Sequence, residues 1–412
     1  MNVQTATTQQ TAAEPLFNPM SLDFIRNPYP SYARLRETDP LHRLPHLNAF
    51  LASRYADAAF VLRDKRFGKD FANRITRRYP NALDEPVYRA MSHWMLSQDP
   101  PDHTRLRGLV VKAFTVRRVE DMRPRIQQIV DESIDRVIDQ GHMDLIADFA
   151  FRLPVIVICE MLGIPEEDRE IFFTRERTGG RLLDPIPLSR EEIDAANAAH
   201  LNTEAYFHRL FDLRRRQPGD DLTTHLVQAE ENGNKLTNEE LTANIILLFG
   251  AGHETTVNLI GNGLLALHRN PGQLAKLKAN PALMSNAIEE FLRYDSSVQL
   301  TGRVAMEDVE VAGKVIPKGE NVMCLLGSAN HDPAVYPDRP DEIDIERPNI
   351  RPLSFGGGIH LCLGAQLARA EAAIAIATLL RRIPNLRIDN LDTPDWRPTF
   401  VLRGLMHLPA SW

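Results

Sequence analysis

Ser354 to Gly364 reads Ser-Phe-Gly-Gly-Gly-Ile-His-Leu-Cys-Leu-Gly, and an alanine-rich helical run from Ala365 to Leu380 follows it directly. This loop constrains the chain more than any other stretch. Gly356, Gly357 and Gly358 let the backbone approach a large, flat partner without Cβ obstruction. Cys362 sits just before a helix start, where free N–H groups and the helix dipole favour the thiolate. A thiolate is a metal ligand, and a single one with no partner ligands nearby suits the axial position of a haem. Other readings of the same residues stay open at this point. A lone cysteine is commonly a small buried apolar residue. A glycine loop before a helix can cradle phosphate, although the Lys-[Ser/Thr] pair of a P-loop is missing. Structural zinc wants about four ligands, and the chain has no Cys-x-x-Cys. Cys362 with His360 as its base has the residue types of a nucleophilic pair.

With 412 residues the chain exceeds the usual domain size, so length alone predicts two or three domains. A net charge of -7 excludes the basic composition expected of a nucleic-acid binder. The three cysteines, Cys159, Cys324 and Cys362, give no disulfide framework and suit a reducing cytoplasm. Residues 1–15 are polar, without the charged and apolar regions of a signal peptide, and read as a disordered tail. No run of about 18 apolar residues occurs, so no membrane span is expected.

Along the chain, Ser31 caps an expected helix to Glu37, Ala49–Ala52 reads as a strand and Tyr55–Leu62 as a helix. Residues 68–98 lack periodicity and read as a long functional loop. Pro100 and Pro101 precede a helix starting near Asp102. On it, His103 and Arg107 share one face, and such a cationic pair can hold a dianion. Residues 119–230 read as mostly helical, with Gly179–Leu188 a mobile loop. Thr237-x-x-Glu240 is a capping box opening a helix from Glu239 to Asn270, whose wide apolar face implies burial. Inside it, Gly250-Ala251-Gly252-His253-Glu254-Thr255-Thr256 is poor helix sequence at a buried place, which points to function. Small residues admit a flat ligand, and Gly with Thr permits a local opening of the helix ladder. Glu290 and Arg293 alone would form a surface pair of small value. Residues 309–325 read as a β-hairpin and 385–412 as short strands.

Phe355-x-x-Gly358-x-His360-x-Cys362-x-Gly364 fixes five positions. It resembles the haem-binding loop of the cytochrome P-450 (haem-thiolate monooxygenase) family. Three further strings resemble the family's motifs, in the family's order: the Asp99/His103/Arg107 helix, Ala251-Gly252-x-Glu254-Thr255, and Glu290-x-x-Arg293. The resemblance covers roughly residues 16–412. It implies one domain over 16–412 despite the length, mainly α with small β-sheets. Haem b (iron protoporphyrin IX) would lie between the long central helix and the cysteine loop.

Carried over residue by residue, the resemblance makes Cys362 the axial ligand. His103, Arg107, Arg303 and His360 become propionate partners, and Phe355, Gly358 and Gly364 cofactor-loop positions. Ala251 and Gly252 line an oxygen groove, and Glu254 and Thr255 deliver protons. Glu290, Arg293 and Arg347 form a structural set. The substrate pocket would be lined by Leu248, Ala251, Val298, Leu300, Phe400, Val401 and Trp94, with Tyr88, His93 and Met95 as further lid candidates. The implied activity inserts one oxygen atom of O2 into an apolar small molecule, by hydroxylation or epoxidation. No flavin fingerprint and no ferredoxin cysteine cluster follows the loop. Electrons are therefore expected from a separate ferredoxin and its reductase, with Arg105, Lys112, Arg117 and Arg118 as docking contacts. The missing anchor resembles the soluble bacterial type, in the cytoplasm. A peroxygenase or dehydratase on the same fold, a cysteine-nucleophile hydrolase and a cofactor-free helical scaffold are the rival readings.

Overall fold

The central helix runs from Asn238 to Arg269. It begins where its capping box dictates: Thr237 Oγ1 accepts from the Glu240 N–H, and the Glu240 carboxylate accepts from the Thr237 N–H. Acidic residues fill its first turn, and His268 and Arg269 its last, as the helix dipole favours. Leu241–Ala243, Ile245, Leu247 and Leu248 before the glycine-rich segment are buried, and so is every residue from Thr256 to Leu267. This computed structural model describes residues 15–173, 179–231 and 236–412, so all but one residue of the expected tail lies outside it.

Helices Arg152–Met161, Met284–Tyr294 and Ala365–Arg382 pack on the central helix and share one large apolar core with helix Val116–Asp135. Close approach needs small residues at two points. A Cβ on Gly252 would meet the Ile158 side chain at 3.0 Å, and one on Gly263 would meet the Phe291 ring at 2.8 Å. Beside this body lies a five-stranded sheet. Its order is Leu41–Leu44, Ala49–Ala52, Asn321–Leu325, Leu300–Ala305, Phe67–Gly68. Only Ala49–Ala52 and Asn321–Leu325 run parallel. The chain is thus mainly helical with small sheets.

Several local expectations give way to packing. Residues 71–92 are not a loop but helices Phe71–Arg78 and Pro86–Ser92. Phe71 and Ile75 are buried one turn apart, and the basic residues around them hide that short period in the sequence. The helix near Ser31 spans Tyr29–Thr38, with Pro28 at the N-cap and no side-chain cap. A proline is tolerated in its first turn, where N–H groups lack partners anyway. Gly179–Leu183 is a short helix, and Asp184 after it is buried. The hairpin covers only Val309–Val311 and Lys314–Ile316; Asn321–Leu325 joins the five-stranded sheet instead.

Glu290 and Arg293 are not a surface pair. Both side chains are 0% exposed, and two N–H groups of Arg293 donate to the Glu290 carboxylate at 2.7 Å each. Arg347 Nε adds a third bond to Glu290 at 3.2 Å. The remaining guanidinium N–H groups bond carbonyls of Asn330, Pro340, Asp338, Arg339 and Glu342. This triad staples the segment leading into the cysteine loop onto helix Met284–Tyr294. Removing one member leaves buried charge uncompensated, which costs about 3–5 kcal/mol. Glu290→Gln should therefore lower the free energy of urea unfolding by about that amount or prevent folding. Lys276→Ala, which breaks an exposed pair with Glu346, should leave the same transition where it is.

Candidate functional site

The cysteine loop folds on itself before it does anything else. The Cys362 N–H donates to Phe355 O at 3.0 Å, the Leu361 N–H to Gly358 O at 3.1 Å, and the Gly356 N–H to Leu353 O at 2.7 Å. Arg369, one helical turn on, places its guanidinium 4.5 Å over the Phe355 ring. The loop glycines serve a neighbour the sequence did not reveal. Gly358 has φ +65°, and a Cβ there would overlap the carbonyl of Leu62; a Cβ on Gly357 would meet the Leu62 side chain at 3.3 Å. Both glycines bring the loop onto helix Tyr55–Arg63, so their bareness serves protein packing, not a flat ligand. Gly364 differs, because a Cβ there would meet nothing within 4 Å.

Cys362 is exposed on a loop that protein otherwise encloses. Burial by that surrounding protein raises its thiol pKa, outweighing the Gly364 N–H, Arg107 and Arg369, which all favour the thiolate. A bound cation is what would tip the balance. The nucleophilic pair fares worse still. His360 has its pKa depressed to about 2 by burial and by Lys69, Arg303, His103 and Arg107, so it stays neutral and is too weak a base to take the thiol proton. Its buried Nε2 has no hydrogen-bond partner among the described residues.

His103, Arg107, Arg303 and His360 do come together. The rings of His103 and His360 lie 4.3 Å apart. Arg107 reaches from helix Asp102–Val110 to Leu361 O at 2.7 Å. Arg303, on strand Leu300–Ala305, donates to Gly302 O at 3.0 Å and Gly357 O at 3.5 Å. The sequence missed Lys69, which is buried beside Arg303 with its Nζ on Gly302 O at 3.2 Å. It also missed Arg74, which faces Arg303 and Lys69. Burial first, then mutual repulsion, holds the pKa of Lys69 well below its ordinary range and lowers that of Arg74. Among the described residues Lys69, Arg74, Arg107 and Arg303 have no ion-pair partner. Asp99, the nearest carboxylate, accepts from the N–H groups of Lys69 and Asp70. Buried unpaired cations cost several kcal/mol each. A group carrying two carboxylates would compensate them, so this donor set fits the propionate edge of a haem, with one exposed sulfur nearby.

On the central helix, Gly250 and Ala251 are exposed although the helix on either side is buried, so open space lies against it there. The helix is continuous through this segment, without the opening expected from its Gly and Thr content. Thr255 Oγ1 instead donates back to Ala251 O at 3.2 Å, the local bond that lets a hydroxyl sit inside a helix. Gly252 faces Ile158 rather than the open space. Glu254 is ion-paired with Arg397. Val298, Leu300, Phe400 and Val401 lie in one apolar cluster. The Phe400 ring packs edge-on against Phe17 and Phe24. Leu248 belongs to the main core, and Trp94 packs against that core and the cluster around Tyr88. Met95 is buried in the main core, and the backbone on either side of Trp94, at His93 O and Met95 N, is held by Asn244.

Asp184 was not singled out in the sequence. Its buried carboxylate accepts from the N–H groups of Phe400 and Val401 at 3.0 and 2.8 Å and pairs with Arg181. It fastens the segment above to the C-terminal wall. Of the expected docking cations, Arg105 is already paired with Glu240 and Asp102, and Arg118 with Asp220. Lys112 and Arg117 are exposed, alongside Val111 and Val116.

If Lys69 helps hold two carboxylates, Lys69→Met should speed haem transfer to an acceptor protein several-fold. An unchanged rate would show that Asp99 alone balances its charge.

Comparison with known proteins agrees with this geometry. A family model described as Cytochrome P450 matches residues 183–394. A putative cytochrome P450 133B2 of Xylella fastidiosa is 44% identical over 389 residues, covering 94% of this chain and 97% of its own. The cytochrome P450 monooxygenase PikC of Streptomyces venezuelae is 43% identical, covering 98% of this chain and 97% of its own. The crystal structure of P450BioI with an acyl carrier protein bearing hexadec-9Z-enoic acid superposes with a TM-score of 0.86 at 40% identity, over 95% of this chain and 99% of that one. A myxobacterial cytochrome P450 in complex with myristic acid gives 0.87 at 43% identity, over 95% and 98%.

Proposed function

The chain belongs to the cytochrome P450 family, a family of haem-thiolate monooxygenases, and on that premise we propose how its own residues divide the work. Cys362 would bind the haem iron through sulfur. Arg303, Arg107, His103, His360 and Lys69 would hold the propionates. The uncompensated cations around the cysteine loop are the observation that carries this assignment. When bound, the haem supplies oxygen activation.

Everything else is done by side chains of this chain. Ala251 and Gly250 leave room against the central helix for a flat ring and a small reactant. The Thr255 hydroxyl, bonded to Ala251 O, can exchange that bond for one to a water and hold it at the reacting centre. Glu254, one residue away, brings protons to that water. The apolar wall of Val298, Leu300 and Val401, with Phe400 buttressing it against Phe17 and Phe24, excludes bulk water and accepts an apolar substrate.

Relatives support a substrate with a long chain or a fused-ring skeleton. One is named a vitamin D(3) 25-hydroxylase and another a polyketide biosynthesis cytochrome P450. We take this enzyme's reaction to be hydroxylation or epoxidation of such a molecule. The fold implies a redox partner. We propose an acidic ferredoxin, served by its reductase and docking on exposed Lys112, Arg117, Val111 and Val116. Helix Asp102–Val110, which leads into that patch, is tied to the cysteine loop through Arg107. No helix among the described residues is long and apolar enough to cross a membrane. The three unpaired cysteines suit the cytoplasm.

Thr255→Ala should retain haem and accept electrons at the native rate but divert several-fold more of them to peroxide. Unchanged peroxide per NADH would remove Thr255 from proton delivery. Turnover on peroxide alone, with no gain from reduced ferredoxin, would favour the peroxygenase reading.

A further inference from the structure

Glu254 and Thr255 are neighbours in sequence but serve different faces of the central helix. Glu254, Asn258 and Asn262 recur at four-residue steps, so they share one face. That face lies on the C-terminal ribbon formed by Asp395–Trp396 and Leu405–His407 and the residues joining its strands. Asn262 Nδ2 donates to Arg403 O at 3.1 Å. A Cβ on Gly404 would overlap the Asn258 amide, so the ribbon is seated directly on the helix there. The Arg397 N–H donates to Gly404 O at 3.0 Å, which fixes the arginine backbone one helical turn from Glu254. Its guanidinium then bonds Glu254 Oε1. The Arg397 side chain is only 4% exposed and that of Glu254 17%. Arg397 Nε is buried and has no hydrogen-bond partner among the described residues.

A carboxylate that relays protons must take one up on the solvent side and hand it on at the reacting centre. Glu254 is partly open to solvent, whereas the buried Arg397 cannot follow it outward. Arg397 therefore defines the inner end of the movement. We propose that Arg397 is a positioning residue that holds the Glu254 carboxylate at its inner resting place on the ribbon face, one residue from Thr255, between proton transfers. The proposal rests on the monooxygenase reading of Glu254 given above and adds the group through which that residue is controlled. Without the cation, Glu254 has no fixed partner on the ribbon face. The carboxylate then turns to solvent, and the relay is interrupted.

The test uses the haem-loaded enzyme with a ferredoxin and its reductase, and myristic acid as the probe molecule. Peroxide released per NADH is measured for Arg397→Leu, Glu254→Gln, the double variant and Arg397→Lys, and each resting protein is melted thermally. Arg397→Leu should raise peroxide several-fold, to the level of Glu254→Gln. The double variant should be no worse than either single one, and Arg397→Lys should recover most of the native value. Melting temperatures should show the same non-additivity. If Arg397→Leu fails to fold, the contrast of Arg397→Lys against Arg397→Gln carries the comparison: coupling should survive with lysine and fail with glutamine. Native coupling in Arg397→Leu, with loss in Glu254→Gln, would overturn the role of Arg397 and leave the monooxygenase reading intact. Additive losses in the double variant would also overturn it, reducing Arg397 to a fastening for the ribbon. Native coupling in Glu254→Gln itself would instead refute the part given to Glu254.

Discussion

Buried positive charge organises this molecule. Lys69 and Arg303 sit almost wholly inside the protein, with Arg74, Arg107 and two histidines around them. Asp99 is the carboxylate that faces them, and backbone N–H groups already engage it. Such an arrangement is expensive in a polypeptide standing alone. It becomes favourable when a dianion shares the site. Lys69 follows the edge strand Phe67–Gly68, Arg303 comes from strand Leu300–Ala305, His103 and Arg107 from one helix, His360 from the cysteine loop. The fold brings four distant stretches together into one cluster of cations and histidines.

Two devices maintain that convergence. The Glu290–Arg293–Arg347 triad fixes the segment that leads into the cysteine loop, with every charge buried and bonded. The bare backbone of Gly357 and Gly358 then lets the loop rest on Leu62 and Arg63. The central helix offers two distinct faces. One presents Ala251 and Thr255 toward open space. The other binds the C-terminal ribbon through Glu254, Asn258 and Asn262. Glu254 lies on that ribbon face one residue from Thr255, with Arg397 as its ion-pair partner.

The sequence disclosed what depends on nearby residues. Thr237 and Glu240 announce the start of the central helix, Pro271 its end, and the spacing around Cys362 the identity of the loop. The Glu290, Arg293 and Arg347 set was legible only through family resemblance, since an i, i+3 pair alone reads as surface. Contacts between distant stretches stayed hidden. Nothing near Lys69 marks it as a buried cation, and nothing near Asp184 says that it holds Phe400 and Val401. Gly252 resembled a groove residue but is small because Ile158 crosses there. Helix Phe71–Arg78 was lost among its arginines, because two buried residues one turn apart do not make a visible period.

The central claim is that Cys362 presents a thiolate to haem iron held by these cations. The most direct measurement is the absorption spectrum of the purified protein after reduction under carbon monoxide. Thiolate ligation predicts a Soret band strongly red-shifted from that of histidine-ligated haem. A band at the histidine-ligated position, or a colourless protein that takes up no haem, would contradict it.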